Sequence, residues 1–270
     1  TLEVVRRLPT GYHELRTVFQ QVSLCDELFL ADSVHNAIEL TCDNCTLPLD
    51  ATNLVWRAAD LLRQRYRPQQ GVRMHLHKRI PIGGGLGGGS ADAAAALVGL
   101  NKLWDVGLSQ AELLRLGAEL GMDVPFCILG GTALGVGRGE RVNALPSLPS
   151  MFTVIAHPGA SVCTADAYAA LRPDQMGGGQ RTAAMISAIN GHDIRAVAAG
   201  LFNVFEQNII ARLPAISRIK TIMLDSGAWN AALTGSGACI FGLVGTLRDA
   251  ERVAATVQRE FPHVFVTQTC

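Results

Sequence analysis

The sequence predicts an α+β protein in two domains, and three features of it carry that prediction. Its 270 residues are about twice what one typical domain needs. Apolar residues alternate with period two through the opening stretch and recur with helical spacing later, in a mixed order rather than a strict alternation of strand and helix. Residues 143–150, NALPSLPS, interrupt the periodicity with two prolines among polar residues, and this break sets domains at 1–146 and 147–270.

Strands are expected over 1–6, 16–24, 27–31 and 37–41, with Pro9, Gly11 and Asp32 in the turns. Thr52 and Asn53 suit a helix cap, Leu54, Ala58, Leu61 and Leu62 share a helical face up to Tyr66, and Val72, Met74 and Leu76 then alternate as a strand. After the glycines of 83–89, Ser90 begins an alanine-rich helix to about Trp104. Ser109 caps the next helix, 111–120, which Gly121 ends. The second domain reads as a strand at 152–156, a helix at 164–171, a glycine break at 177–179 and helical stretches near 182–189 and 206–225. Strands at 231–234 and 239–244, a helix at 247–259 and a strand at 264–267 complete it. That order predicts helices on one face of an antiparallel sheet.

Composition narrows the function classes. With 49% hydrophobic and 17% charged residues the chain is too apolar for disorder, and 23 basic against 23 acidic residues remove any general pull toward nucleic acid or anionic lipid. No apolar run approaches the roughly 20 residues of a membrane helix. A soluble, cytoplasmic protein without nucleic-acid or membrane partners is expected, as a monomer or weak homodimer. Seven cysteines, an odd and scattered set, read as reduced thiols. Cys42 and Cys45 form a C-x-x-C with no second pair at zinc spacing, so they read as loop thiols, and His75 and His77 read as strand histidines. The chain opens at Thr1 inside the alternating run Leu2, Val4, Val5, which is expected to be a strand whose beginning lies upstream.

Six glycines fall within residues 83–89, immediately before a helix. Each costs about 0.5–1 kcal/mol against alanine, so something must approach the backbone closely there. Converging N–H groups and a helix N-terminus together suit phosphate. Gly83, Gly85 and Gly88 satisfy G-x-G-x-x-G, but the preceding strands read as antiparallel, against a dinucleotide fold. The loop ends Gly89, Ser90, Ala91, which fails the Walker pattern. A flexible linker fits poorly with the helix that follows.

The segment PIGGGLGGGSADAA, residues 81–94, resembles the second signature of the GHMP kinases, the superfamily of galactokinase, homoserine kinase, mevalonate kinase and phosphomevalonate kinase. LPTGYHELRTVFQQVSLCDEL, LGMDVPFCILGGTALGVGRGE and LTGSGACIFG agree in order, and the set resembles most the branch acting on an alcohol that carries a cytidine diphosphate group. The resemblance implies an N-terminal domain like ribosomal S5 domain 2, a ferredoxin-like C-terminal domain, ATP as phosphate donor and Mg2+. It places the catalytic carboxylate at Asp123, which otherwise reads as a turn cap. The phosphates fall on Pro81, Gly83, Gly84, Gly85, Leu86, Gly87, Gly88, Gly89 and Ser90, with Ser90 also a metal ligand or simply a helix cap. Lys78 and Asn53 fall on the adenine side, against readings as a surface lysine and a helix cap. Tyr12, His13 and Tyr168 become readers of the cytidine, and Ser236 and Gly237 face the acceptor's phosphates unless they only close a hairpin. GVGRGER, residues 135–141, reads as two strands and a turn. The family's first signature would fall before Thr1. Another small-alcohol kinase of the superfamily, or a nucleotide-binding relative without turnover, stays open.

Overall fold

The computed structural model describes residues 1–44 and 46–270, so Cys45 of the C-x-x-C lies outside the described residues. In chain order the strands are β1 (Leu2–Arg7), β2 (His13–Gln20), β3 (Glu27–Ser33), β4 (Ile38–Cys42), β5 (Gly71–His77), β6 (Thr132–Gly137), β7 (Arg141–Ala144), β8 (Phe152–His157), β9 (Asn230–Leu233), β10 (Ile240–Val244) and β11 (His263–Gln268). The helices are α1 (Leu54–Tyr66), α2 (Gly88–Leu103), α3 (Gln110–Leu120), α4 (Val124–Leu129), α5 (Thr164–Ala169), α6 (Gln180–Asn190), α7 (Ile194–Ala199), α8 (Glu206–Arg212), α9 (Ala215–Asp225) and α10 (Leu247–Gln258).

These elements sort into two compact units that differ from the linear cut after residue 146. One comprises Thr1–Leu24, Pro81–Leu86 and Gly131–Cys270; the other comprises Cys25–Ile80 and Gly87–Gly130. Long-range pairing is the reason. Val4 of β1 and Leu15 of β2 are buried in one cluster with Val154, Ile216 and Val253. Leu2 exchanges backbone hydrogen bonds with Phe202 and Val204, and Ser23 and Leu24 both bond the Thr267 hydroxyl. The proline break marks where the chain changes sheets, not which segments pack together.

In the 25–80 and 87–130 unit, β5 lies between β3, antiparallel to it, and β4, parallel to it. The parallel pair needs a crossover, which α1 supplies. Leu40, Val72, Met74 and Leu76 turn inward at period two and bury against Val55, Ala58, Ala59 and Leu62 of α1 and Ala93, Ala96, Leu97 and Leu100 of α2. Asn53 caps α1 as expected, its Oδ1 accepting from the Val55 N–H at 2.9 Å, and Ser109 caps α3 in a reciprocal box with Glu112. Helix α2 starts at Gly88, not at Ser90. The Ala91 N–H closes its first turn on the Gly87 carbonyl at 2.9 Å, making Ser90 the third residue of the helix. Asp43 reaches His77 at 2.5 Å, a carboxylate that the spacing along the chain had not suggested, yet no metal-binding cluster forms among the described residues.

In the other unit, β1-β2-β6-β7 form one antiparallel sheet, with β6 and β7 joined by the expected turn. A second antiparallel sheet is ordered β11-β8-β10-β9. Counting its strands along the chain, that order is fourth, first, third, second, with helices after the first and third, which is the ferredoxin-like arrangement. Ile219 and Met223 of α9 and Val253 and Val257 of α10 bury against Val154, Ile240 and Val244. Helices were expected on one face only. Leu243 and Phe241 point the other way from Ile240 and Val244, and there they meet Met185 and Ile189 of α6 and Val197 of α7. The helix expected over 206–225 is two, because Pro214 opens α9 and cannot continue α8.

Candidate active site

In the 25–80 and 87–130 unit the site begins at the N-terminus of α2. Gly87 caps it in the left-handed conformation, φ 71°, with no side chain to satisfy the first N–H groups, and a Cβ there would meet nothing within 4 Å. An open, positively polarised helix end of this kind receives anions. Gly88 and Gly89 form the first turn and Ser90 follows them. An ideal Cβ on Gly121 would lie 3.8 Å from the Ser90 Oγ, so the start of α2 abuts the segment that carries Asp123.

Asp123 stands at the N-cap of α4 but makes no capping hydrogen bond, which removes the turn-cap reading. It is open to solvent by area, yet it lies among enough surrounding protein that desolvation raises its carboxyl above the ordinary range. One turn on, Cys127 donates its backbone N–H to the Asp123 carbonyl at 3.1 Å. Burial, with the Asp123 and Asp92 carboxylates adding to it, pushes the Cys127 thiol up to about 12, so it is inert. The arrangement leaves Asp123 able to accept a proton from a hydroxyl brought to the mouth of α2.

Behind α2 lies an ion triad. The Lys78 ammonium bonds Asp26 and, at 2.9 Å, Asp92 of α2; the three side chains are 6%, 4% and 6% exposed. Asp26 also accepts the backbone N–H groups of Arg79 and Ile80 at 2.6 and 2.8 Å. Burial pushes the Asp92 carboxyl well above its usual range, with Lys78 opposing and Asp26 adding. Lys78 is desolvated too, but its bonds to the two carboxylates outweigh that and hold its ammonium above the usual value. Lys78 is therefore no surface lysine. Asn53 is equally committed, accepting from Val55 and donating to the Pro48 carbonyl.

The other unit holds the aromatic residues. Gly11, at φ 85°, turns the chain between β1 and β2, leaving Tyr12 57% exposed beside His13, the first residue of β2. The His13 and Tyr168 rings stack with centroids 5.0 Å apart, and Tyr168 meets Phe205 edge-on at 4.8 Å. Burial, with Arg7 adding, holds His13 below the usual histidine range, so its ring is neutral at pH 7 and both donates and accepts. The Arg138 guanidinium lies 4.8 Å over the Tyr12 ring, a role the sequence did not suggest for GVGRGER. A depression of about 360 Å³ lined by Tyr12, Arg138 and Arg141 adjoins it.

Pro81, Gly83, Gly84, Gly85 and Leu86 belong to this same unit, where they fasten to the turn carrying Ser236 and Gly237. The Gly84 carbonyl accepts from the Cys239 N–H at 3.0 Å and the Thr234 hydroxyl at 2.6 Å. A Cβ on Gly85 would sit 2.5 Å from the Thr234 carbonyl oxygen, and one on Gly83 2.9 Å from Ser161 Cβ. The Gly237 N–H closes its own turn on Thr234 at 2.7 Å, and Ser236 Oγ shares a hydrogen with Thr164 Oγ1 at 2.9 Å. Asp26, Asp92, Thr234 and Arg138 were missed by sequence reasoning; the aspartate inside an alanine-rich helix was the one available signal.

Comparison with known proteins converges on one family. Residues 53–131 match the GHMP kinases N terminal domain and residues 185–263 the GHMP kinases C terminal domain. The 4-diphosphocytidyl-2-C-methyl-D-erythritol kinase of Caldicellulosiruptor saccharolyticus is 41% identical over all of this chain and 93% of its own length. That of Enterococcus faecalis is 37% identical over 99% of this chain and 94% of its own. A crystal structure of 4-(cytidine 5'-diphospho)-2C-methyl-D-erythritol kinase superposes with TM-score 0.85 at 33% identity, covering 99% of this chain and 94% of that one. The homoserine kinase of Cytophaga hutchinsonii, at 24% identity and TM-score 0.78 over 94% and 88% of the two chains, shares the fold. Two domain matches in order and relatives aligned from end to end mean that the chain belongs to the GHMP kinase family, on the branch that carries the 4-diphosphocytidyl-2-C-methyl-D-erythritol kinases.

Proposed function

We propose that this chain is an ATP-dependent kinase that phosphorylates the 2-hydroxyl of 4-diphosphocytidyl-2-C-methyl-D-erythritol, releasing the 2-phosphate and ADP, in the methylerythritol phosphate route to isopentenyl diphosphate. What carries the reading is 41% identity to such a kinase across the whole chain. In the step itself the alcohol oxygen bonds to the γ-phosphorus, the bond from that phosphorus to the bridging oxygen of ADP breaks, and the alcohol proton passes to Asp123. A carboxyl raised by desolvation holds that proton better than an ordinary aspartate does. The α2 N-terminus and Gly87, Gly88 and Gly89 hold the phosphates. Positioning and charge neutralisation supply most of the rate.

Ser90, facing Gly121, and Asp123, two residues beyond it, offer hard oxygen donors, and no three acidic, histidine or cysteine side chains converge among the described residues. These two side chains would hold Mg2+, which would supply neutralising charge there. Tyr12 offers a ring face and neutral His13 a donor and an acceptor to the cytosine, with Tyr168 behind His13. Ser236 and Gly237 are assigned to the acceptor's diphosphate on the strength of the family resemblance. The reading carries with it a cytoplasmic monomer or weak homodimer with neither nucleic acid nor membrane as partner.

The test is ATP consumption by the purified protein with the diphosphocytidyl acceptor, against galactose, homoserine and mevalonate. Selective turnover inhibited by CMP or CDP is expected. Turnover of another alcohol, or nucleotide binding without turnover of any, would overturn the reading.

A further inference from the structure

We infer that Asp26, Lys78 and Asp92 form a positioning triad for the phosphate end of ATP, acting through the start of α2, and that Lys78 does not read the adenine. The inference rests on α2 being the phosphate holder. Lys78 follows β5, Asp26 precedes β3 and Asp92 lies in the second turn of α2, so one ammonium ties three elements at a point. Asp26 adds the Arg79 and Ile80 N–H groups, which anchors the chain just before the glycines. A Cβ on Gly88, the first residue of α2, would lie 3.4 Å from the Lys78 Nζ, so the ammonium sits against the helix start.

Stability alone accounts poorly for this choice. Two carboxylates sharing one ammonium, each side chain at most 6% exposed, are desolvated at a cost that well-packed apolar residues of similar volume would avoid. A cation beside a helix N-terminus also opposes the helix dipole. What the triad does supply is directional: a charge-assisted bond from each element fixes where the α2 N–H groups point. Two of the three donors of the ammonium are taken by the aspartates, and a side chain held on two sides and 6% exposed is not free to meet a base edge.

The experiment measures binding of ATP, adenosine and inorganic tripolyphosphate, with magnesium, to the full chain and to Lys78→Met, Asp26→Asn and Lys78→Arg. Lys78→Met and Asp26→Asn are expected to weaken ATP and tripolyphosphate alike by about tenfold, the loss of one charge-assisted bond, and to leave adenosine unchanged. Lys78→Arg keeps the charge but not its point geometry, so it is expected to stay folded and to weaken tripolyphosphate severalfold, again sparing adenosine. Adenosine weakened as much as ATP, with tripolyphosphate spared, would make Lys78 a base reader and overturn the inference. If tripolyphosphate competes with ATP on the unaltered protein but no variant that folds changes its binding, the triad inference fails while the phosphate reading stands. If tripolyphosphate does not compete at all, the reading of α2 fails with it.

Discussion

Gly83–Gly85 and Gly87–Gly89 look interchangeable in the sequence and are not interchangeable in the structure. The first three are required by protein. Gly84 gives its carbonyl to Cys239 and Thr234, and a Cβ on Gly85 would strike two carbonyl oxygens, those of Thr234 and Gly237, at 2.5 and 2.8 Å. The second three face open space at Gly87, run into α2, and leave an uncapped helix end. Glycine density therefore announces close approach without saying of what. One half of the run is explained by a neighbouring turn and the other half has no such turn against it; assigned to a ligand, as proposed above, it makes the opposite demand on stability and on activity.

The largest effect should come from the side assigned to the ligand. Asp123→Asn is expected to lower kcat by about a thousandfold with little change in ATP affinity. Its Tm should hold or rise, since desolvation already disfavours the carboxylate at this position. The pH dependence carries a sign. A base must be ionised to act, so the rate of the unaltered enzyme should climb with pH along a limb lying above the ordinary carboxylate range, and that limb should vanish in the variant. Steady-state kinetics from pH 4 to 9 decide it, and a variant retaining both rate and limb would dismiss Asp123 as the base.

Next comes the half explained by protein. Gly85→Ala adds a methyl group against two backbone carbonyls, neither of which can rotate away, at φ 74° where an L-residue is already strained. A loss of about 3 kcal/mol is expected from overpacking and backbone strain combined. Urea unfolding would show it as a lowered midpoint. The kcat per folded molecule should fall far less than in Asp123→Asn. An unchanged midpoint would mean that Gly84 and Gly85 are not held by the Thr234–Cys239 turn, and the two halves of the run would no longer differ.

The contrast also shows what the sequence could and could not tell. The alternation of Val72, Met74 and Leu76 located β5, and Ser109 announced its helix, because those signals are local. Helix α4 escaped because it is six residues long and its proline, placed in the first turn, reads as a breaker. The unit boundaries escaped because Val4 and Leu15 look like any strand residues until Val154 and Ile216 are seen beside them. At the proposed site, the glycine run stood out by residue type, whereas Asp123 and the Tyr12–His13 pair were singled out by the family resemblance and not by their own pattern. Asp26 and Asp92 were not, since a buried aspartate and a surface one are the same letter, and only the position of Lys78 distinguishes them.

The smallest expected effect is the most discriminating. Gly89 is exposed, second in α2, and a Cβ there would find only Leu54 Cδ1, at an ordinary 3.8 Å. Replacing it with alanine removes backbone entropy from the unfolded chain without steric conflict, so Gly89→Ala should stabilise the protein by about 0.5 kcal/mol. The same methyl group would stand where a phosphate must approach the α2 N–H groups, and KM for ATP should rise severalfold while KM for the acceptor stays put. A linker or a purely structural glycine cannot produce that pair of signs: the former would change neither quantity, and the latter would lose stability as Gly85 does. Thermal melts and ATP titrations on one preparation measure both. Were Gly89→Ala to raise Tm with ATP affinity untouched, the open end of α2 would be a helix terminus and nothing more.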